Sequence, residues 1–492
     1  MPKKPYIFIS FDTEDAINTE ADEALLSLAR IYSRVGIPAC FFMVGQKARM
    51  LRERGRKDVL DALKEHEIDY HGSYWFEYPE PALVYGNSDP WDAAVQKASA
   101  IETPGLNDVA EIAGQFPVAT CQHQNNHSPA TTHAMQMAGV KVWNGGFGGQ
   151  LDGLGWIMGM FMAGRHGRTV SGQGSWGGFQ SDPDYPSRRP PAVDPKQELK
   201  TFQQRFDTQL ERGHSHLNIL GHPSCWALAE WWGWYEWSVP FRRDDGSQVP
   251  GPYPHGRQWE KAVARSPSDR EAHLKWTAQA ARWLAKRNDI RVARLEEALN
   301  DHTEPHGQWL SASQVRSVAR QILKRFDYVK AADTTLSAAD ALVVLSQFVE
   351  FMLRENRRPA NIQIRRTLGP VEEILIPKIQ VTFKRQSYLL AARQVVHYVN
   401  THGRLPHAIR AHHIDVGPGE VLLALAQALK ADKLPNTVTV EPTGGLPECY
   451  TMECFVNATA NSSHAPPGYS PDQIHLQARQ QSWSYRPAVR SS

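Results

Sequence analysis

The first 300 residues alternate short apolar runs with amphipathic stretches of helical period. This alternation is typical of an α/β fold in which helices connect parallel strands. The apolar runs predict strands at residues 6–11, 39–44, 67–70, 117–121, 140–143, 217–220 and 290–295. The amphipathic stretches predict helices over about 20–33, 54–65, 129–138, 197–211 and 269–286.

After about residue 304 the chain becomes mainly helical and contains an internal sequence repeat. A helical segment followed by Arg357-x-Pro359 recurs as a helical segment followed by Arg404-x-Pro406. The offset is 406 − 359 = 47 residues. Repetition at such a period implies small units that share one core.

Length and composition suggest more than one folded domain. A chain of 492 residues is too long for one ordinary core, and its 41% hydrophobic content is that of a globular protein. We predict a domain at 1–304, a smaller helical repeat domain at 305–457 and a flexible tail at 458–492, where Ser, Pro, Gln and Arg are abundant.

The charge balance excludes several classes of partner. Lys plus Arg number 54 against 52 for Asp plus Glu, so no large field exists to attract nucleic acid or an anionic membrane. No apolar run approaches the ~18 residues of a membrane span. Five scattered cysteines do not indicate a disulfide framework. We expect a cytoplasmic protein with neither nucleic-acid binding nor membrane insertion, or an extracellular one if the sequence is a processed form.

Three carboxylates follow the first predicted strand, at Asp12, Glu14 and Asp15. The carboxyl ends of parallel strands are where barrel-like α/β proteins build their sites. Crowding carboxylates costs repulsion, which a bound cation or a proton-transfer role would relieve. The alternative is that these residues cap the next helix.

Two histidines follow other predicted strands in the same way. His71 comes directly after the third strand and could ligate a divalent metal together with a carboxylate of the first. His222 lies between Gly221 and Pro223, so its backbone should be extended, and its imidazole could protonate a leaving group. The alternatives are a packed histidine and a turn residue.

Taken together, these segments resemble the polysaccharide deacetylases of carbohydrate esterase family four, over about residues 5–304. The patterns that carry the resemblance are Phe11-Asp12-x-Glu14-Asp15, Glu67-Ile68-x-x-His71 and Leu220-x-His222-Pro223. The resemblance implies a distorted (β/α) barrel and a divalent metal, with zinc as the expected ion.

The resemblance also implies a role for each matching residue. It implies Asp12 as the general base, Glu14 or Asp15 together with His71 as metal ligands, and His222 as the general acid. The implied activity is metal-dependent removal of acetyl groups from an N-acetylated carbohydrate polymer or oligosaccharide.

The chain departs from the family pattern at two positions. Trp75 stands where a further histidine is usual, and the region from Cys121 onward lacks the usual arginine. His127 or His123 could supply the missing ligand, and we expect Trp75, His123 and Trp226 to line the substrate site. A tryptophan can stack on a sugar, although it fits a buried aromatic cluster equally well.

Two other functions remain open at the level of sequence. The same fold could hydrolyse a small non-peptide amide without a metal, or the protein could bind carbohydrate or cell wall without catalysis. The C-terminal repeats faintly resemble pseudomurein-binding repeats, which would imply attachment to a cell-wall polymer. A packing or self-association module is the alternative.

Overall fold

The structure is a computed structural model with two compact units. It describes residues 4–74, 80–121, 128–144, 154–164, 179–180, 194–229, 263–331, 333–430, 433–448 and 468–491. The N-terminal unit comprises residues 1–154, 162–300 and 457–471, and the C-terminal unit comprises 155–161, 301–456 and 472–492. The main boundary lies at 300/301, four residues before the predicted one, and short segments of each unit are distant in sequence from the rest.

Up to residue 300, short strands alternate with helices. The described strands are β1 Tyr6–Thr13, β2 Cys40–Met43, β3 Glu67–Tyr70, β4 Ala119–Thr120, β5 Val142–Trp143, β6 Gly155–Ile157, β7 Met160–Met162, β8 Phe179–Gln180, β9 His216–Gly221 and β10 Arg291–Val292. The described helices are α1 Thr19–Val35, α2 Gly45–Glu53, α3 Lys57–Leu63, α4 Pro81–Ser88, α5 Trp91–Ala113, α6 Pro129–Ala138, α7 Pro195–Glu211, α8 Pro223–Ala227, α9 Pro267–Ala285 and α10 Leu295–Asn300.

The N-terminal unit is built on a parallel sheet in the order β5-β4-β3-β2-β1-β9-β8. Strand β1 is parallel to β9 along one edge and to β2 and β10 along the other. All eight residues of β1 are buried, as expected for a central parallel strand covered on both faces. The sheet curls into a half-barrel, which confirms the expected α/β class and its distorted (β/α) barrel form.

The helices differ from the sequence prediction in two ways. The helix predicted over 54–65 corresponds to α3, which begins at Lys57 after the chain turns at Gly55 with a φ of 65°. The helices α2, α4, α5, α8 and α10 were not predicted. Among the described helices, none combines the length and the apolar composition that a membrane span requires.

Helix α5 continues through Pro104, which removes one backbone hydrogen bond. In the turn before the proline, the carbonyl of Ile101 accepts a hydrogen bond from Ser73 Oγ at 2.7 Å, and that of Glu102 accepts one from the Tyr70 hydroxyl at 3.1 Å. At Gly105 an added Cβ would lie 2.6 Å from Ser73 Cα. The helix therefore packs directly on the segment that follows β3.

The C-terminal unit contains two successive groups with the same element order, strand–helix–hairpin–helix–strand. The first group is β11 Trp309–Ser311, α11 Ala312–Ile322, β12 Val329–Ala331, β13 Thr334–Leu336, α12 Ala338–Glu355 and β14 Asn361–Gln363. The second is β15 Val381–Lys384, α13 Arg385–His402, β16 Ile409–Ala411, β17 Ile414–Val416, α14 Pro418–Lys430 and β18 Thr437–Val440. In each group the first and last strands pair antiparallel.

The 47-residue offset predicted from the sequence does not superpose these two groups. Their hairpins begin at residues 329 and 409, an offset of 409 − 329 = 80 residues. The offset of 47 instead relates the second helix of the first group, α12, to the first helix of the second group, α13. The helices of both groups share one apolar core.

The described part of the predicted flexible tail is folded. It forms α15 Asp472–Gln480, a short 3-10 helix at Gln481–Ser484 and β19 Arg486–Pro487, which pairs antiparallel with β6. The Trp483 side chain is buried and donates from Nε1 to the Gly445 carbonyl at 2.9 Å. The prediction of a flexible tail is therefore wrong for residues 472–491. Buried side chains such as Trp483 hold this segment in the core, although its Ser- and Gln-rich composition is typical of disorder.

Candidate active site

Four chemically reactive side chains lie at the carboxyl end of the parallel sheet. Asp12 is the penultimate residue of β1 and Glu14 follows that strand directly. His71 follows β3, and His222 follows β9. Because parallel strands end at the same edge of a sheet, three separate segments of the chain bring these groups together.

Both imidazoles face the same pair of carboxylate oxygens. His71 Nε2 lies 2.7 Å from Glu14 Oε1 and 3.7 Å from Asp12 Oδ2. His222 Nε2 lies 3.6 Å from that Asp12 oxygen and 3.9 Å from that Glu14 oxygen. The pocket thus holds two nitrogen and two oxygen ligand atoms, the types that a divalent transition metal prefers.

The backbone of the neighbouring strand fixes the orientation of His71. Its Nδ1 donates a hydrogen bond to the carbonyl of Cys121, the residue that follows β4. The Cys121 N–H in turn donates to the Tyr70 carbonyl at 3.0 Å. A proton held on Nδ1 leaves Nε2 as the atom that faces the carboxylates, which is the arrangement common for metal-binding histidines.

The site carries two carboxylates with little access to water. The side chains of Asp12 and Glu14 are 7% and 4% exposed. Burial lowers the pKa of His71, but the charge of Asp12, the hydrogen bond to the Cys121 carbonyl and the contact with Glu14 outweigh it and raise that pKa to about 10. Two buried carboxylates require a positive partner, and either a proton on His71 or a bound cation supplies it.

Asp15 does not join this group. Its Oδ1 accepts hydrogen bonds from the backbone N–H groups of Ile17 at 2.9 Å and Asn18 at 3.0 Å, and its Oδ2 accepts one from Asn18 Nδ2 at 2.9 Å. Burial raises the pKa of Asp15, and the nearby ammonium of Lys47 opposes that shift. The ligand role considered for Asp15 is therefore corrected to organising the turn before α1, and Glu14 is the residue beside His71.

The backbone at His222 matches the extended conformation expected before a proline. The residue has φ −121° and ψ 118° and directly precedes α8, whose first residue is Pro223. Its side chain is 16% exposed, more than those of Asp12, Glu14 and His71. Among the four groups, His222 is thus the best placed to reach an incoming molecule.

A fifth residue, Cys121, belongs to the site and was missed by sequence reasoning. Within the part of the chain that the structure describes, Asp12, His71 and Cys121 form one possible ligand group, and Asp12, Glu14 and His222 form another. In each group the ligand atoms lie within 4.8 Å of one another. The signal was available, because Cys121 ends a predicted strand just as His71 follows one.

Comparisons with known proteins find likeness at the level of structure. The chain is similar to a probable polysaccharide deacetylase from Pseudomonas aeruginosa, with 13% identity, a TM-score of 0.37 and coverage of 60% of this chain and 89% of that one. It is also similar to a family 4 carbohydrate esterase from Streptomyces lividans, with 11% identity, a TM-score of 0.29 and coverage of 59% and 93%.

A pseudoenzyme of carbohydrate esterase family 4 from Bacillus anthracis is similar too, with 13% identity, a TM-score of 0.27 and coverage of 45% and 56%. No protein-family model and no curated protein matches the chain. Likeness at this level concerns backbone shape and makes no statement about activity.

Trp226, expected to line the substrate site, is a core residue. Its side chain is 1% exposed, and its Nε1 donates to Thr277 Oγ1 at 2.8 Å. The indole packs edge-on against Phe11 and lies close enough to Gly221 that a Cβ there would be 2.8 Å from it. The substrate-binding role of Trp226 is therefore corrected, because stacking on a sugar requires an open indole face.

Three other predicted site residues lie outside the described residues. They are Trp75, His123 and His127. Their proposed contributions to substrate and metal binding stay predictions.

Proposed function

We propose that the protein is a metal-dependent hydrolase that removes acetyl groups from an N-acetylated carbohydrate polymer or oligosaccharide. The observation that carries the proposal is the approach of two imidazole Nε2 atoms to the same two carboxylate oxygens, at 2.7 to 3.9 Å. Buried carboxylates and imidazoles from distant segments meet in this way mainly where chemistry requires them. The substrate class follows from the resemblance of the sequence patterns around Asp12, His71 and His222.

The residues present fit a divalent cation, which we propose to be zinc. Glu14 and His71 would hold it, since they are in contact at 2.7 Å and His71 Nε2 faces the carboxylates. When bound, such a cation polarises an amide carbonyl and makes a coordinated water more acidic. Asp12 lies beside these two residues, and the proposal assigns the proton transfer to its carboxylate.

In this proposal Asp12 accepts a proton from the attacking water. Its Oδ2 lies 3.7 Å from His71 Nε2 and 3.6 Å from His222 Nε2. A cation held at His71 would favour the ionised carboxylate that a general base must be. His222 donates a proton from Nε2 to the departing amine as the C–N bond breaks. The products are acetate and the free amino sugar.

The test is acetate release from chitin oligosaccharides and peptidoglycan fragments by zinc-loaded protein. Asp12→Asn should retain the metal and lose at least about 10²-fold in turnover, because one proton transfer disappears. Glu14→Gln should lose both metal and turnover. Asp61→Asn is the matched control. The Asp61 carboxylate is 55% exposed, and it pairs with Lys64, which is not a residue of the site.

Other outcomes would replace the proposal. Turnover of a small non-peptide amide, such as a nucleobase-derived one, by metal-stripped protein would favour a metal-independent hydrolase. Carbohydrate binding that survives Asp12→Asn, with no acetate released by any form of the protein, would leave a non-catalytic binding protein.

A further inference from the structure

Residues 70–71 and 120–121 are locked together by the backbone of two adjacent strands. Tyr70 of β3 is in register with Thr120 of β4. The Cys121 N–H donates to the Tyr70 carbonyl at 3.0 Å, and the Cys121 carbonyl accepts from His71 Nδ1. These bonds hold Cys121 and His71 side by side at the carboxyl end of the sheet.

The Cys121 thiol lies close to Asp12 and His71. Its side chain is buried, and Cys121 Sγ lies within 4.8 Å of ligand atoms of both Asp12 and His71. Sulfur is a good ligand for zinc and cobalt when it is ionised.

The other described cysteines do not share this position. Cys40 Sγ donates to Glu67 Oε2 at 3.0 Å, and that carboxylate also accepts from the N–H groups of Leu295 and Glu296 at the start of α10. A cation there would have to displace these helix-capping bonds. Cys225 is buried and belongs to none of the ligand groups in the described ranges.

We propose that Cys121, as a thiolate, is a protein ligand of the cation that His71 binds. The inference rests on the proposed metal-dependent function. Catalytic zinc sites usually have three protein ligands and one open position. Glu14 and His71 supply two of them, and the residues predicted from the sequence for the third, His127 or His123, lie outside the described residues. Cys121 provides the third ligand from the next strand.

A thiolate ligand gives the site a specific chemistry. The thiol of Cys121 loses its proton to solvent when the cation binds, so its negative charge joins that of Glu14 around the ion. A nitrogen, sulfur and oxygen ligand set favours zinc and cobalt over magnesium and calcium, which prefer oxygen alone. We therefore expect thiophilic metals to bind and Mg²⁺ to compete poorly.

Cobalt substitution tests the proposal directly. Co²⁺ added to metal-stripped protein should give a thiolate-to-cobalt charge-transfer absorption in the near ultraviolet, together with one bound ion. Cys121→Ser should remove this absorption and weaken zinc binding by at least about tenfold. Cys225→Ser, the matched control with another buried cysteine, should keep both. Cys121→Asp should restore a bound ion without the charge-transfer absorption, which shows that a ligand rather than the fold was lost.

The inference is overturned if cobalt binds without a charge-transfer absorption, if that absorption persists in Cys121→Ser, or if no ion binds. Its failure is distinguishable from that of the proposed function. Acetate release without a thiolate signal would refute the ligand role of Cys121 and leave the hydrolase intact. A thiolate signal without acetate release from any substrate would refute the hydrolase and leave the ligand role of Cys121 intact.

Discussion

Metal binding at His71 should compete with a proton, because the pKa of His71 in the metal-free protein is raised to about 10. Zinc binds the deprotonated Nε2, so at neutral pH the imidazolium must lose its proton first. With a pKa near 10, only about one molecule in 10³ carries the neutral ring at pH 7. The His71 proton alone should therefore make the apparent zinc affinity rise about tenfold for each pH unit between about pH 6 and about pH 8.

The assay is zinc competition against a chromophoric chelator across this pH range, with proton release measured by calorimetry in two buffers of different ionisation enthalpy. The cleanest form of the experiment uses the Cys121→Ser protein, in which the His71 proton should account for a slope of about one. In the same Cys121→Ser background, His71→Asn should bind zinc weakly and show no such slope. A flat affinity in the Cys121→Ser protein would refute the reasoning, since it would mean that His71 is neutral before zinc binds or is not a ligand.

Three further predictions concern the framework. Burial raises the pKa of Glu102 from 4.5 to about 7, although the Tyr70 hydroxyl opposes the shift, so the contribution of Glu102 to stability is complete below pH 4.5 and is lost as pH rises through about 7. In urea unfolding at about pH 8, Glu102→Gln should therefore be more stable than the unmodified protein by up to about 3 kcal/mol. A stability difference between the two proteins that does not change with pH would contradict this. Gly105→Ala should destabilise the protein by about 1–3 kcal/mol, because its Cβ would meet Ser73 Cα at 2.6 Å; an unchanged urea midpoint would show that α5 can shift. Trp483→Ala should cost about 3–5 kcal/mol in thermal or urea unfolding, whereas a disordered tail would give no effect.

Sequence reasoning predicts the sheet better than the helices around it. Strand β3 is predicted at 67–70 and observed at Glu67–Tyr70, where polar and apolar residues alternate as is typical of a strand. Helix α5 escaped prediction because Pro104 and Gly105 both argue against a helix interior. The hydrogen bonds that Tyr70 and Ser73 donate to the helix turn before Pro104 come from another part of the chain, so no local sequence pattern reveals them.

The candidate site was likewise predicted only in part. Placing Asp12, Glu14, His71 and His222 at strand ends required only the rule that parallel strands finish at one edge. Choosing between Glu14 and Asp15 required the side-chain directions, because adjacent residues in a turn point to different neighbours. For Trp226, burial depends on how α8 turns back into the core, which its sequence does not state.

The division of the chain between the two units affects its synthesis. Strand β6 pairs with β19 through Trp156 and Arg486, so the ribosome must add 486 − 156 = 330 residues before this pair can form. At ordinary translation rates of about 5–20 residues per second, that takes roughly 15–70 s. During this interval one edge of β6, including Trp156, lacks the strand that pairs with it in the folded protein. A truncated protein ending at residue 304 would leave that edge permanently unpaired.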